Sequence, residues 1–433
     1  MIQFNKFDFI IAFAQVLDLA NDSLAAHHQR TAFIVDQLGR RLPLTRLEHH
    51  RAVLAASLHD IGLVPLGSRA DDLLLEPDMD RHSQAGWKCL ETCPPLREEG
   101  RLIRFHHHDW ADIRKLSEDW QRAGQLANII HVADYVDMSA RTDLGADQLS
   151  RELRKKSGSV FAPLVAEAAR DFLAQPDILP SLTSMAKGLA LDEGADLALT
   201  EADLRDCARF FSQMVDSRSP FTATHSAGVA HVGSLLYYLS DGDDDEAESM
   251  FLAGLLHDLG QLGVPLSLME KPGPLADWEM AKVQEHALIS YQSLSGLPGF
   301  QQVAMWGGLH HERMNGTGYP FGLSGNDIPL ETRFIAVADV LTALTEDRPH
   351  RRGLNDDEAV KIMSRMAKAG ELDGDVVAMV SRRLKNFSSL RRRVQYQEGT
   401  FAGNMARQIK LDSRPYPPAV WNAAIRSLDL SYL

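Results

Sequence analysis

Histidine is the residue type that stands out: there are 17 in 433 residues, many beside an aspartate or another histidine. Imidazole and carboxylate together suit borderline first-row metals, and an aspartate has two oxygens with which to bridge a pair of ions. Leu58-His59-Asp60-Ile61-Gly62 returns 198 positions later as Leu256-His257-Asp258-Leu259-Gly260. A chance match would leave the flanks unrelated, yet they repeat too. His27 precedes His59 by 32 positions, as His225 precedes His257. His82 lies 24 before His106-His107, as His286 does before His310-His311. Asp134 follows His107 by 27 and Asp339 follows His311 by 28, within NIIHVADYVDM and FIAVADVLTAL. Beyond that one-residue difference, the stretch from Asp60 to His82 is shorter, 22 positions against 28 for its counterpart.

Each half therefore carries five histidines and two aspartates in the same order. Taken singly, a histidine is most often a satisfied core or surface residue; an ordered set that occurs twice is not explained that way. His28, His49, His50, His108, His131, His231 and His350 keep the ordinary reading, although a shift of one residue would exchange His28 with His27 or His108 with His107. A His-Asp doublet inside a helix points its side chains about 100° apart, so one can serve one ion while the other reaches a second. An ion lowers the pKa of a bound water, and a pair can clamp the attacking and leaving oxygens of a displacement at phosphorus. Phosphoester hydrolysis is the reaction such a site favours.

The elements that must position these residues read as helices. Apolar residues recur at helical spacing in AFIVDQLGRRL, RAVLAASLHDIGLV, CARFFSQMVDS, MFLAGLLHDLG and EAVKIMSRMAKAG, and alternating strand-like runs are absent. The expected fold is all-α. Breaks are expected at Gln175-Pro176, at Leu179-Pro180, in the acidic run from Asp241 to Glu248, read as a solvated loop, and at Lys271-Pro272-Gly273-Pro274. The C-terminal segment has Arg391-Arg392-Arg393 and then RPYPPAVW, with no legible chemistry. The length suits two sizeable domains. With 45 Lys and Arg against 59 Asp and Glu, the net charge of −14 argues against DNA or an anionic membrane surface as partner. Cys89, Cys93 and Cys207 are too few for a disulfide framework and read as core or helix-face residues. There is neither a long apolar span nor a signal-peptide pattern, so the expected location is the cytoplasm.

One further run carries a resemblance. His257-Asp258-Leu259-Gly260 is followed by VPLSLMEKPGPL, His286, and His310-His311-Glu312-Arg313-Met314-Asn315-Gly316-Thr317-Gly318-Tyr319-Pro320, then IPLETRFIAVAD ending at Asp339. Over roughly residues 205 to 385 this resembles an HD-GYP domain, the cyclic dinucleotide phosphodiesterase branch of the HD superfamily. Roughly residues 10 to 150 resemble a plain HD domain that keeps the ligand set and lacks the Gly-Tyr-Pro loop. The implied architecture is two tandem HD-superfamily helical domains: 1–150 an HD domain, 151–204 a helical connector, 205–390 the HD-GYP domain and 391–433 a C-terminal tail.

The resemblance implies that His225, His257, Asp258 and Asp339 hold one ion and Asp258, His286, His310 and His311 the other, with Asp258 bridging. The ions would be two divalent metals, iron or manganese, with water or hydroxide between them attacking phosphorus. A glutamate that adds a third ion in some relatives is replaced by Phe221, so two ions are expected. Gly316 and Gly318 would let the loop approach a ligand closely, Tyr319 would offer a ring face, and Arg348, Arg351 and, less strongly, Arg313 would contact the phosphodiester. The less favoured alternative is a solvated helix end for the arginines and a structural turn for the glycines. Gln261 stands where the family commonly has a lysine at the scissile phosphate, so it can donate a hydrogen bond but no charge. Thr342 replaces a second family aspartate. A second metal site is implied at His27, His59, Asp60, His82, His106, His107 and Asp134.

The function expected on this resemblance is hydrolysis of a cyclic dinucleotide to the linear form. Cyclic di-GMP is the first choice and 3',3'-cyclic GMP-AMP a close competitor. The rival readings are a weakly active or inactive cyclic-dinucleotide-binding signalling adaptor, favoured by Gln261, and a general HD nucleotide phosphohydrolase acting through the first half. The first half is expected to be a regulatory or structural partner domain in preference to a second active site. A homodimer or a signalling partner protein is an open expectation.

Overall fold

The computed structural model of the chain describes residues 4–19, 25–66, 80–142, 144–192, 194, 196–219, 222–243, 246–271, 273–348 and 351–408, with side chains to residue 399. Helices dominate, as the apolar spacing predicts. The one named sheet among the described residues pairs Phe4–Asn5 antiparallel with Ala198–Leu199. Two-residue strands are too short to carry an alternation in the sequence. The chain separates into two compact units, the first ending at Asp203 and the second starting at Leu204.

In the first unit the helices His27–Gly39, Arg46–Ser57, Asp80–Leu90, Arg97–Ile103 and Glu118–Ala140 pack around a core that includes Ile34, Leu38, Leu54, Ile103 and Ile130. The Arg46–Ser57 helix starts on a capping box: Thr45 Oγ1 accepts from the Glu48 N–H and the Glu48 carboxylate accepts from the Thr45 N–H. The segment expected as a connector packs within this unit. Its helices Ala146–Lys156, Pro163–Leu173 and Ile178–Ala186 bury Leu149, Leu153, Phe172 and Leu182, and Phe172 meets Phe33 with ring centroids 6.5 Å apart. Gln175-Pro176 does separate two helices, but Leu179-Pro180 lies in the first turn of Ile178–Ala186. There the proline lacks only an N–H that has no intrahelical acceptor, so the helix continues.

In the second unit the His225–Leu239 helix packs against Ala247–Leu256, Leu330–Thr345 and Leu384–Gln408. Gly254 lies on the backbone of Ala230 with no room for a Cβ, and Gly307 lies likewise on the Ala253 carbonyl. These close crossings bring together the helix ends that carry the histidines. Leu384–Gln408 runs straight through residue 391 as one helix and buries Phe387, Arg391, Val394, Gln395 and Glu398. Of the arginine triplet, only Arg391 faces inward; Arg392 and Arg393 are exposed. The run RPYPPAVW, Phe221, His350 and Pro272 lie outside the described residues. Asp241, Asp243, Glu246 and Glu248 are exposed or half-exposed around the gap between two helices, and Glu248 pairs with Arg205. All three cysteines are buried and free. No helix among the described residues is long and apolar enough to cross a membrane.

Candidate metal centre

The His-Asp doublet sits at a junction between helices and not within one. Ala247–Leu256 ends just before His257, and Asp258 opens the 3-10 turn Leu259–Gly263. The turn redirects the chain, so Asp258 leaves the helix axis and projects among the histidines and Asp339. The glycine that ends the motif has a packing reason. A Cβ on Gly260 would overlap the carbonyl of His286, and one on Gly62 the carbonyl of His82. In both halves this contact holds the doublet against the next histidine in sequence.

The two carboxylate oxygens of Asp258 face two different sets of ring nitrogens. Oδ2 lies 3.2 Å from His257 Nε2 and 3.9 Å from His225 Nε2. Oδ1 lies 3.3 Å from His286 Nε2 and 3.7 Å from His310 Nε2. Asp339 Oδ1 completes the first set at 3.2 Å from His225 Nε2, and His311 stands with His286 and His310 in the second. Hydrogen bonds on the far side of each ring direct these nitrogens. His257, His286 and His310 place Nδ1 2.8, 2.6 and 2.7 Å from the carbonyls of Gly254, Val283 and Gly307, which leaves the Nε2 lone pairs pointing inward. His225 Nδ1 lies 2.9 Å from Glu346 Oε2.

This donor set fits bound metal. His257 Nε2, His286 Nε2, His310 Nε2 and Asp258 Oδ1 are buried and have no hydrogen-bond partner. Each such atom costs about 1–3 kcal/mol when left unsatisfied, and a bound cation offsets that cost. Desolvation and neighbouring histidines hold His310 and His311 well below the usual imidazole range, so both are neutral and ligand-ready at pH 7. Burial would raise the pKa of Asp258, but the surrounding histidines outweigh it and hold the carboxyl well below its usual value. Burial would likewise depress His225, but Glu346 and Asp339 outweigh it and hold the ring well above. The side chains of Asp258 and Asp339 keep 9% and 12% of their surface exposed, so solvent reaches the centre.

The first unit repeats the arrangement. Asp60 Oδ2 lies 3.3 Å from His59 Nε2 and 3.7 Å from His27 Nε2, while Oδ1 lies 3.2 Å from His82 Nε2 and 3.8 Å from His106 Nε2. Asp134 Oδ1 is 3.5 Å from His27 Nε2, and His107 Nε2 is 3.0 Å from His82 Nε2. The adjacent histidines point elsewhere. His28 Nδ1 lies 2.7 Å from Asp18 Oδ1, and His108 Nδ1 lies 3.6 Å from Asp80. One electrostatic difference separates the halves: desolvation, with Asp60 and Asp137 close by, raises Asp134 to about 6, whereas His225 helps hold Asp339 far lower.

The Gly-Tyr-Pro loop borders the second unit's centre. The Tyr319 ring lies 4.7 Å from His311, centroid to centroid, and tilted by 33°. Gly316 has φ +78°, in the left-handed region, and Gly318 packs directly on the backbone of residues 311–313. The loop is held by Glu312, whose buried carboxylate accepts from the N–H groups of Phe321 and Leu323 at 2.7 and 2.9 Å.

The arginines diverge from expectation. Arg351 donates to the carbonyls of Ala343, Leu344, Glu346 and Arg352, so its guanidinium ties down the end of the Leu330–Thr345 helix. The resemblance implied a phosphodiester contact for this residue; here its guanidinium is engaged by the helix end. Arg348 Nη2 lies 3.5 Å from Glu346, and Arg313 donates weakly to the carbonyls of His310 and Glu312. Gln261 is half-buried in the turn after Asp258, its N–H donating to the Asp258 carbonyl at 2.8 Å. Sequence reasoning missed Glu312, Glu346 and Asp137, the last of which bonds His27. The available signal was a carboxylate flanking each ligand segment, but nothing in its spacing says which histidine it meets.

Comparison with known proteins bears on the family and the fold. Two family models, each described as an HD domain, match residues 24–139 and 209–376. A 3'3'-cGAMP-specific phosphodiesterase 1 of Vibrio cholerae is 28% identical over 87% of this chain and 91% of its own length. A cyclic di-GMP phosphodiesterase response regulator of Xanthomonas campestris is 34% identical over 40% of this chain and 47% of its own. The crystal structure of a cyclic GMP-AMP specific phosphodiesterase of Vibrio cholerae superposes with a TM-score of 0.63 at 23% identity, over 88% of this chain and 98% of that one, which supports the all-α fold. Both halves of the chain are HD domains in tandem. The chain belongs to the HD-domain proteins, and the run that resembles HD-GYP lies in its second half.

Proposed function

We propose that the second unit hydrolyses a cyclic dinucleotide to its linear form at a dinuclear metal centre. His225, His257, Asp258 and Asp339 would hold one ion, and Asp258, His286, His310 and His311 the other. The observation that carries this is the division of Asp258: each carboxylate oxygen faces its own set of inward-pointing imidazole nitrogens. Two divalent ions there, iron or manganese, would supply an activated water and positive charge at the phosphodiester.

The chain's own residues supply orientation. The carbonyl bonds to His257, His286 and His310 fix which ring nitrogen faces the cleft. Tyr319, stacked beside His311, presents a ring face to a base, with Gly316 and Gly318 letting the backbone come close. Gln261 donates to the phosphodiester without adding charge, and Arg313 and Arg348 are the remaining candidate cations. The first unit's centre also holds metal and acts as a partner domain. As to substrate, the relatives that align across both halves favour 3',3'-cyclic GMP-AMP over cyclic di-GMP, because the cyclic di-GMP enzymes align with 40% of the chain or less.

The test is turnover of both substrates by purified protein loaded with iron or manganese. A linear dinucleotide product is expected, faster from the mixed ring. No turnover of either, with both ions shown to be present, refutes the reading. Gln261 favours one alternative, a binding adaptor that cleaves poorly. Tight ligand binding without hydrolysis, unchanged by Gln261→Lys, would establish that alternative.

A further inference from the structure

The two halves solve one problem differently: what holds the first histidine of each centre. In the first unit Asp137, three residues after the ligand Asp134, has Oδ2 2.7 Å from His27 Nδ1. Arg30, three residues after His27, clamps Asp137 with Nε to Oδ1 at 2.5 Å and Nη2 to Oδ2 at 3.1 Å. Ligand, carboxylate and guanidinium form a closed set.

In the second unit both supporting positions are lost. The residue three after Asp339 is Thr342, and the residue three after His225 is Gly228. Thr342 is fully buried, and its hydroxyl oxygen has no hydrogen-bond partner. Yet His225 Nδ1 still meets a carboxylate, that of Glu346, at 2.9 Å. Glu346 lies just beyond the end of the Leu330–Thr345 helix, about one turn past Thr342. Its other oxygen accepts from Gln395 Nε2 at 2.5 Å, and Gln395 comes from the Leu384–Gln408 helix. That helix lies beyond residue 376, where the HD model ends. The glutamine occupies the space opened at Gly228: a Cβ there would come 2.9 Å from Thr342 Cγ2 and 3.1 Å from Gln395 Nε2. Buried Arg391, one turn earlier, donates to Gln395 Oε1 at 2.8 Å, which leaves the amide nitrogen facing Glu346.

We propose that Glu346 and Gln395 are positioning residues that replace the pair Asp137 and Arg30, so that the C-terminal helix is part of the second unit's metal centre. An outer carboxylate of this kind sets the tautomer and orientation of a ligating imidazole and raises its basicity, and its loss typically weakens metal binding or activity by about 10–100-fold. Without Glu346, His225 loses its Nδ1 partner. Without Gln395, Glu346 loses the donor that holds it on His225, a smaller effect.

This rests on the reading of His225 as a metal ligand, and the experiment separates the two. Equilibrium Mn2+ affinity is measured without substrate on full-length protein carrying Asp60→Asn, which silences the first centre. Alongside it, melting of the metal-free protein reports folding. Glu346→Ala is expected to weaken Mn2+ binding by about 10–100-fold with metal-free melting little changed, and Thr342→Asp added to it is expected to recover much of the affinity by restoring the first unit's arrangement. Should Glu346→Ala not fold, Gln395→Leu leaves the carboxylate in place and is expected to weaken Mn2+ binding measurably, at or below the lower end of that range. Unchanged affinity in whichever of these folds, or no recovery with Thr342→Asp, overturns the proposal. A parent that binds no Mn2+ overturns the underlying metal reading instead.

Discussion

Replacing Asp258 by asparagine keeps the volume of the side chain and removes the charge shared between the two ligand sets. Its oxygens lie 3.2 to 3.9 Å from four imidazole nitrogens, so the change touches every expected ion contact of the doublet. The amide also puts an N–H2 donor, in place of a lone pair, toward one of the two ions. Loss of an outer partner alone costs about 10–100-fold in metal affinity. A direct ligand to two ions should cost at least that for each, a combined loss on the order of 100- to 10,000-fold. Asp60→Asn makes the same change in the first unit, whose oxygens lie 3.2 to 3.8 Å from the matching nitrogens. Paired assays of cyclic dinucleotide cleavage and bound metal per chain discriminate between the two centres. Asp258→Asn is expected to abolish cleavage and to lower the bound metal, while Asp60→Asn lowers the bound metal and leaves most cleavage intact. Cleavage that survives Asp258→Asn and disappears with Asp60→Asn would refute the assignment of chemistry to the second unit.

Two further outcomes follow from single residues. Gly318→Ala forces a Cβ into the backbone of residues 311–313; overpacking costs about 1–3 kcal/mol, so if the loop shifts, KM should rise about 5- to 150-fold with metal content unchanged, and an unaltered KM would remove the loop from substrate binding. Desolvation holds His131 at about 4, below its unfolded value of about 6.5. The unfolded chain therefore binds the extra proton first, and stability present above pH 6.5 is lost as pH falls toward 4. The change amounts to about 3 kcal/mol, and His131→Phe should flatten the pH dependence of unfolding across that window; identical slopes in wild type and variant would contradict it.

Much of the site was legible because it is written twice. The spacing of His27, His59, Asp60, His82, His106, His107 and Asp134 recurs in the second half, and ligand sets that converge in space must keep their order and helical phase. The all-α class was legible for the same reason as any buried helix, through apolar periodicity. What escaped depends on partners rather than patterns. Nothing in EDRPHRR says that Arg351 will spend its guanidinium on helix-end carbonyls. Glu346 and Gln395 lie off the repeat, and Thr342 alone gave the sign that something had been lost. The doublet read as helical sits at a helix end because the turn after Leu256 is what aims Asp258. The helix through Arg391 was hidden because three successive arginines carry no apolar periodicity, and only packing shows that a helix turns one of them inward.

In the proposed centre Asp258 bridges two ions of the second unit. Electron paramagnetic resonance of Mn2+-loaded protein carrying Asp60→Asn tests it directly, because two manganese ions sharing a carboxylate are magnetically coupled. A coupled-pair spectrum is expected at two ions per chain, and it should disappear when Asp258→Asn is added. The spectrum of isolated Mn2+ at every loading would contradict it.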